Sequence, residues 1–369
     1  MKITIERSNE SLELIKALAS KNPNEVWDAQ IAIAEIVGPV LEVQANQAPV
    51  LSNLFELKTF DEGANPSIPL DAYRDITDEN YFSVWTQAVD GGLPSNEIRP
   101  VTGELKITLS KIDSAQNFHK KYIAQGQIDV VAKAFERMAQ EMLVKDETLS
   151  ATMIFTALAK AVTNGKQHVV RSVVSGRITL DDFNNLKTFS KRLYKSWAGG
   201  TPEGPSKAGF TDLFLSPEAM GDIRKMAYNP VNTEAAPMEG AIKNGIGAPD
   251  EIRRQLYSTA GDPTFFGVTF HEYNEFGIGQ KYNKLFAKLA GETEFGGSKF
   301  EEATSQIILG IDNSVDSMYR FASTNGDGRT MTFEPDDQYT RRSGKIGWYG
   351  YKDEGRIILD DRALTAIIV

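Results

Sequence analysis

The sequence predicts an α+β fold, and three observations carry that prediction. Ile128, Val131, Phe135, Met138 and Met142 recur at spacings of 3, 4, 3 and 4. This lays one apolar stripe along a long helix, while Lys133, Glu136, Arg137, Gln140 and Glu141 fill its other face. Leu105, Ile107 and Leu109 alternate with Glu104, Lys106, Thr108 and Ser110, the pattern of a half-buried strand. The last forty residues read as strands, and nowhere do helices and strands alternate in a βαβ rhythm.

Taken in order, the first fifty residues are small amphipathic pieces. Leu12, Ile15, Leu18 and Ala19 share one face of a helix over residues 8–21. Asn22-Pro23-Asn24 breaks it and caps a second helix from Glu25, which carries Val26, Ala29, Ile33 and Ile36 and ends by Gly38-Pro39. Such pieces cannot bury their apolar faces alone, so they are expected to need another surface, for instance that of another copy. Strands are expected over 53–60 and 81–89, with turn-rich residues at 61–66 and a loop at 90–96. With the strand over 104–110 they make a long two-stranded excursion, too marginal to stand in water unsupported.

Asp113, followed three residues later by Gln116, reads as a capping box at the entry to the long helix. Gly126 interrupts the first part, so the strongest stretch begins near Gln127. Asp146 then reads as the N-cap of a second segment with Leu149, Met153 and Ala157 on one face and Gly165 as its stop. A helix of ~25 residues would span ~37 Å and serve as a beam. Leu180, Phe183, Leu186, Phe189, Leu193 and Trp197 mark another helix over 179–197, and 199–209 is a Gly/Pro/Ser loop. Asp212–Leu215 is a buried strand, Ser216 an N-cap and Pro217 the first residue of a helix to about Ala227. Residues 228–250 read as loop, 252–257 as a helical turn, 265–270 as a strand, 282–289 as a helix, 291–297 as a loop and 306–309 as a strand. The chain closes with strands over 331–333, 345–351, 356–359 and 364–369, with a turn at Lys352-Asp353-Glu354-Gly355.

The 369 residues are enough for two or three domains, and 41% hydrophobic with 24% charged residues is an ordinary globular balance. No run of about 18 apolar residues marks a transmembrane helix, and the first residues lack the apolar core of a signal peptide, so folding in a cytosol is expected. With no cysteine, disulfides, thiolate metal sites and cysteine nucleophiles drop out together. A net charge of −10 disfavours tight non-specific binding to a phosphate backbone.

Little in the chain points to chemistry. Its three histidines, His119, His168 and His271, have no paired metal spacing, and His271-Glu272 reads as a lone histidine at a strand end. Ser323, Asn325, Asp327 and Glu334, with Gly328 between, place side-chain oxygens at positions 1, 3, 5 and 12 of a calcium-loop pattern. Ser323 supplies no charge at position 1, and Thr330–Phe333 reads as a strand rather than an incoming helix. A polar turn between strands is therefore preferred to a metal site. The carboxylate pairs Asp181-Asp182, Asp336-Asp337 and Asp360-Asp361 suit solvated or helix-capping roles better than acid–base catalysis. No catalytic residue and no cofactor is assigned.

The order of parts, an arm, a long β-excursion, a beam helix, a mixed central region and a β-rich tail, resembles the major capsid proteins of tailed double-stranded DNA bacteriophages, the Hong Kong 97-like fold shared with encapsulins. The segment Leu213–Pro217 with its following helix is similar to the family's axial-domain strand, and Lys345–Gly350 with Arg356–Leu364 resembles its peripheral-domain strands and chain end. By this resemblance, 1–50 would be the N-terminal arm, 51–112 the extended β-loop with a flanking peripheral strand, 113–165 the spine helix and peripheral domain, 166–325 the axial domain with an insertion at 228–300, and 326–369 the C-terminal peripheral strands and chain end. The resemblance implies a structural protein and not an enzyme, self-assembling as hexamers and pentamers into an icosahedral head that encloses double-stranded DNA without sequence-specific binding. It implies a virion location after assembly in host cytoplasm, separate scaffold and portal proteins, a possible decoration protein, and no membrane. The alternatives are an encapsulin-like compartment, a calcium-binding or hydrolytic enzyme using Ser323, Asn325, Asp327 and Glu334, and a phage tail or baseplate protein.

Overall fold

The computed structural model describes residues 9–46, 50–61, 63–64, 66–69, 104–124, 128–163, 167–194, 209–226, 264–265, 267–336 and 344–369. In chain order the elements are α1 (Asn9–Leu18), α2 (Pro23–Asn46), a 3-10 turn (Ser52–Leu54), β1 (Glu56–Asp61), β2 (Ser67–Pro69), β3 (Glu104–Lys106), β4 (Ser110–His119), α3 (Lys120–Ala124), α4 (Ile128–Thr163), β5 (Val169–Arg171), α5 (Leu180–Leu193), β6 (Asp212–Leu215), α6 (Pro217–Met226), β7 (Thr264–Phe265), β8 (Val268–Glu272), α7 (Lys281–Ala290), β9 (Glu294–Phe295), β10 (Ser298–Lys299), β11 (Ile307–Ile311), β12 (Met318–Thr324), β13 (Thr332–Asp336), β14 (Lys345–Ile358), a second 3-10 turn (Asp361–Ala363) and β15 (Leu364–Ile368). The fold is α+β, as the sequence predicts. Two compact units emerge, one drawn from Met1–Ser67, Lys106–Ser150 and Met318–Ile357, the other from Ile68–Leu105, Ala151–Ser317 and Ile358–Val369.

In the first unit β14 is the hub of a five-stranded sheet. It pairs antiparallel with β4 from Lys345 opposite His119 to Glu354 opposite Ser110, and with β13 from Gly347 to Tyr351. It also neighbours β12, which pairs in parallel with β1. The sequence reading breaks β14 with a turn at 352–355, and the structure corrects it: the strand runs unbroken for 14 residues. Lys352, Glu354 and Arg356 all point to the buried face, where they meet partners, so the polar run is not a turn. Gly355 serves a close approach instead, since a Cβ there would stand 2.7 Å from Ile107 Cγ2 and 2.9 Å from Thr108 O. Those residues lie between β3 and β4, splitting the single strand expected over 104–110.

The helix entry is corrected too. Asp113 and Gln116 lie on β4 and form no capping box. Tyr349 Oη donates to Asp113 at 3.0 Å, and Gln116 Nε2 donates to Ala134 O at 2.9 Å. Residues 110–119 are claimed by the ladder to β14 before a helix can begin. α4 is then one helix of 36 residues, about 54 Å long, and Asp146 lies in its interior rather than at an N-cap.

The arm also departs from expectation. α2 does not stop at Gly38-Pro39 but carries Pro39 inside a 24-residue helix. Pro39 forfeits a backbone hydrogen bond, yet ending the helix there would withdraw Leu41 from the face formed by Val26, Ala29, Ile33, Ala34 and Val37. That face is buried against Phe135, Met138, Met142, Ile346 and Trp348. The surface the arm needs is thus found within its own chain. Gln30 Nε2 donates to Gly347 O at 3.1 Å while Trp348 Nε1 donates to Gln30 O at 3.3 Å. Further along α2, Glu42 accepts from the backbone and hydroxyl of Thr330.

The second unit is built on a six-stranded sheet in the order β5-β15-β11-β6-β8-β7. β6 pairs in parallel with β8 and β15 with β5, while β11 runs antiparallel to both β15 and β6. Its core joins Phe183 and Leu186 of α5, Ala219, Met220 and Ile223 of α6, and Leu213, Phe270, Ile308 and Ile367 of the sheet. The reading of 212–227 holds, with Ser216 Oγ accepting from Ala219 N at 3.1 Å as the cap of α6. Asp182 closes a capping box with Thr179 at the start of α5, the role the sequence gives its carboxylate pair. β12 has no counterpart in the sequence reading. The expected strand at 81–89, the loops at 90–96, 199–208 and 228–250, the helical turn at 252–257, Trp197 and the stop at Gly165 lie outside the described residues.

Phe135 is fully buried, with Trp348, Phe333 and Phe118 edge-on at centroid distances of 5.2, 5.5 and 6.3 Å. Phe135→Ala is expected to lower the stability of the first unit by about 3–5 kcal/mol, measured by urea unfolding of the purified subunit followed through tryptophan fluorescence.

Candidate functional site

Polar atoms are gathered most densely in the first unit, where α4 faces β14. Asp146 and Glu354 are each 1% exposed, and three cations surround them. Lys352, with a fully buried side chain, contacts Asp146 Oδ2 and donates to Glu354 Oε1 at 3.0 Å. Arg356 bridges the same carboxylates, 3.2 Å to Asp146 Oδ1 and 2.9 Å to Glu354 Oε2. Arg320 of β12 lies 3.9 and 4.0 Å from them. Arg356 Nε also donates to Ser150 Oγ, itself 2.9 Å from Ser52 Oγ, and one turn away Glu147 accepts from the backbone N–H groups of Leu51 and Ser52. The helix is thereby tied to β14, β12 and the lead-in to β1.

Burial and the neighbouring Glu354 push the proton affinity of Asp146 above the ordinary carboxylate range, against Lys352 and Arg356. Burial acts the same way on Glu354, but Lys352, Arg356 and Arg320 outweigh it and hold that carboxyl below its ordinary value. Every oxygen of the two carboxylates meets a cation, which fits a structural clamp. Sequence reasoning missed the cluster because Lys352–Gly355 looked like a turn. The signal was the period-2 sequence Lys352, Glu354, Arg356, with an acid in mid-helix to face it.

The calcium-loop candidates are placed as follows. Ser323 is near the end of β12, and Asn325 and Asp327 lie in the turn after it. Asn325 Oδ1 accepts from the backbone N–H of Asp327 and Arg329, at 3.2 and 3.0 Å, so its oxygen closes its own turn. Glu334 lies on β13, opposite Tyr349 of β14. Among the described residues, no group of three or more histidine, aspartate or glutamate side chains is arranged to hold a metal ion.

In the second unit His271 Nε2 lies 2.9 Å from Asp212 Oδ1, with its ring stacked 4.8 Å from Phe214. Thr211 Oγ1 donates to the other oxygen of Asp212 at 2.6 Å. Burial pushes Asp212 upward, but these two hydrogen bonds and the His271 charge prevail and hold it below its ordinary value. His168 is buried, with Nδ1 3.0 Å from Leu364 O. His119 accepts from Lys121 N at 3.4 Å. The structure does not bring the three histidines into one site.

No family model matches the chain, and no curated protein matches it by sequence. Solved structures do. The capsid of a native GTA particle superposes with a TM-score of 0.50 at 12% identity, covering 88% of this chain and 89% of that one. The capsid of cyanophage P-SCSP1u gives 0.49 at 13% identity, covering 85% and 86%. An encapsulin complex from Synechococcus elongatus gives 0.47 at 12%, covering 86% and 85%. The first of these carries the assignment: the chain has the Hong Kong 97-like fold that its order of parts resembles.

Two outcomes follow from this geometry. Lys352→Met leaves Asp146 and Glu354 short of one buried cation and is expected to cost about 3–5 kcal/mol, read by urea denaturation; a loss below about 1 kcal/mol would contradict the clamp. Asp212, held below its ordinary value, contributes stability that is full above about pH 4 and fades as pH falls through its folded-state value. Asp212→Asn is therefore expected to lower the melting temperature near pH 7 and to lose that deficit in acid, as a series of thermal melts from pH 7 to 3 would show.

Proposed function

We propose that this chain is the repeating subunit of a closed protein shell, a major capsid protein assembling as hexamers and pentamers into an icosahedral phage head around double-stranded DNA. The single supporting observation is the likeness to a GTA capsid along 88% of the chain, without a large unmatched remainder. On this reading α4 serves as the spine, residues 113–165 and 326–369 form the peripheral domain, and 166–325 form the axial domain around a ring centre. The net charge of −10 suits an inner wall along which packaged DNA slides without adhering. Subunits of this kind would be placed on the shell by a scaffold and a portal and would end in the virion. Among the described residues, no helix is long and apolar enough to cross a membrane.

A second reading within the same fold is a compartment shell holding a protein cargo, favoured by the likeness to an encapsulin. Content distinguishes the two. Negative-stain microscopy of the purified chain is expected to show rings with five- and six-fold symmetry or closed uniform particles. Nuclease-protected DNA inside would support the phage head, and co-purifying protein cargo the compartment. A chain that stays monomeric at about 100 μM, far above the dissociation constants of ordinary specific interfaces, would overturn both.

A further inference from the structure

The clamp of the first unit sets an amine against a carboxyl group in a dry interior. The Lys352 side chain is 0% exposed and that of Asp146 1%, and Lys352 Nζ contacts Asp146 Oδ2. On its other side Nζ stands 3.0 Å from Glu354 Oε1, a second carboxylate at 1% exposure. The remaining Asp146 oxygen, Oδ1, accepts from Arg356 Nη2 at 3.2 Å. Arg356 is itself held in place, donating to Glu354 Oε2 at 2.9 Å and to Ser150 Oγ at 2.9 Å. A nucleophile, an electrophilic carbon, a proton carrier and a donor to the carbonyl oxygen thus meet in one hydrogen-bonded group. Burial, then the charge of Glu354, favours the neutral and reactive form of Asp146. Glu354, against its own burial, is kept ionised by Lys352, Arg356 and Arg320 and can take up a proton.

We propose that Lys352 and Asp146 condense into an intrachain isopeptide bond, Nζ to Cγ, with Glu354 moving the protons and Arg356 holding the carbonyl oxygen. Lys352 gives one proton, through Glu354, to Asp146 Oδ2, which leaves a neutral amine beside a neutral acid. The nitrogen lone pair then forms the bond to Cγ, and the carbonyl electrons move onto Oδ1 beside Arg356. As the Cγ–Oδ1 double bond returns, the Cγ–Oδ2 bond breaks. Glu354 carries a second proton from nitrogen to Oδ2, which departs as water. One ammonium and one carboxylate become one amide and one water, with no oxidant, no cofactor and no change in net charge. Two effects favour the step. Groups held at contact react as though at effective concentrations of about 10⁵–10⁸ M, and the amide removes one cation and one anion from an interior where each is costly.

The test is the intact mass of the full chain, purified folded and then denatured, together with mass mapping of its proteolytic fragments. The wild type is expected to weigh about 18 Da, one water, less than its sequence dictates, and to yield a branched peptide joined through Asp146 and Lys352. Lys352→Arg and Glu354→Gln are expected to keep their full sequence mass, the second with both reacting residues still present. A wild type at full mass, with 146 and 352 on separate peptides, would mean an ordinary buried ion pair and would overturn the proposal. So would a water loss that maps to a succinimide at Asp327-Gly328 instead. A branched peptide formed at undiminished yield in Glu354→Gln would overturn the role given to Glu354. Should either variant fail to fold, the wild-type mass and fragment map decide by themselves. Neither particle formation nor particle content enters the readout, so the shell reading stands or falls separately.

Discussion

Two carboxylates at 1% exposure set the terms for the first unit. Asp146 projects from the middle of α4 and Glu354 from β14, and neither could stay charged there without Lys352, Arg356 and Arg320. Replacing such a set by apolar residues is often neutral or favourable for stability, so stability alone does not account for it. Register does. A slip of β14 by one residue would turn Lys352, Glu354 and Arg356 to the opposite face, and Asp146 would be left uncompensated in the interior. The hydrophobic contacts above it, Trp348 and Ile346 on Phe135 and Met138, tolerate small displacements. The ionic clamp does not.

That fixed register explains why the arm helix can be pinned so specifically. Gln30 exchanges hydrogen bonds with Gly347 and Trp348, two positions on β14 whose orientation depends on the same alignment. The Gln30 side chain donates to a β14 carbonyl while its backbone carbonyl accepts from the Trp348 indole, so both bonds hold only in this alignment. The clamp at 352–356 and the bond pair at 347–348 lie on one strand and support each other.

The parts that were legible in the sequence are those where a local signal and the tertiary outcome coincide. Ser216-Pro217 caps and starts α6 because an N-cap hydroxyl and a fixed φ act within four residues. The stripe from Val131 to Met142 was readable because its period is that of the helix. The failures came where distant partners overrode local chemistry. Lys352–Gly355 has turn composition, but its charges are met by a helix about two hundred residues away in sequence. Asp113 and Gln116 have cap spacing, but β14 claims their backbone. Pro39 is a breaker that the buried face around Leu41 overrides. No single-sequence signal announces such pairings, since each residue is ordinary until its partner is known. The calcium-loop candidates illustrate the reverse case: the spacing was present, but the Asn325 oxygen is turned onto its own backbone.

A fold hosts many functions, so a shell role must also agree with what the surface offers. Among the described side chains of α2, Val26, Ala29, Ile33, Ala34, Val37 and Leu41 are buried, while Ile36 and Val43 are strongly exposed, at 63% and 55%. In the second unit Val173, 69% exposed, stands on a turn that Asp182 fixes through Ser172, Val173 N and Thr179. Ile278 stands between Gly277 and Gly279, both with positive φ. Isolated side chains of this kind do not amount to a sticky patch. On the shell reading proposed above, they would suit a subunit that meets its neighbours through modest contacts repeated by symmetry. Contacts that are individually weak can open and re-form, so a misplaced subunit leaves before the shell closes around it, while the closed ring gains from all of them at once.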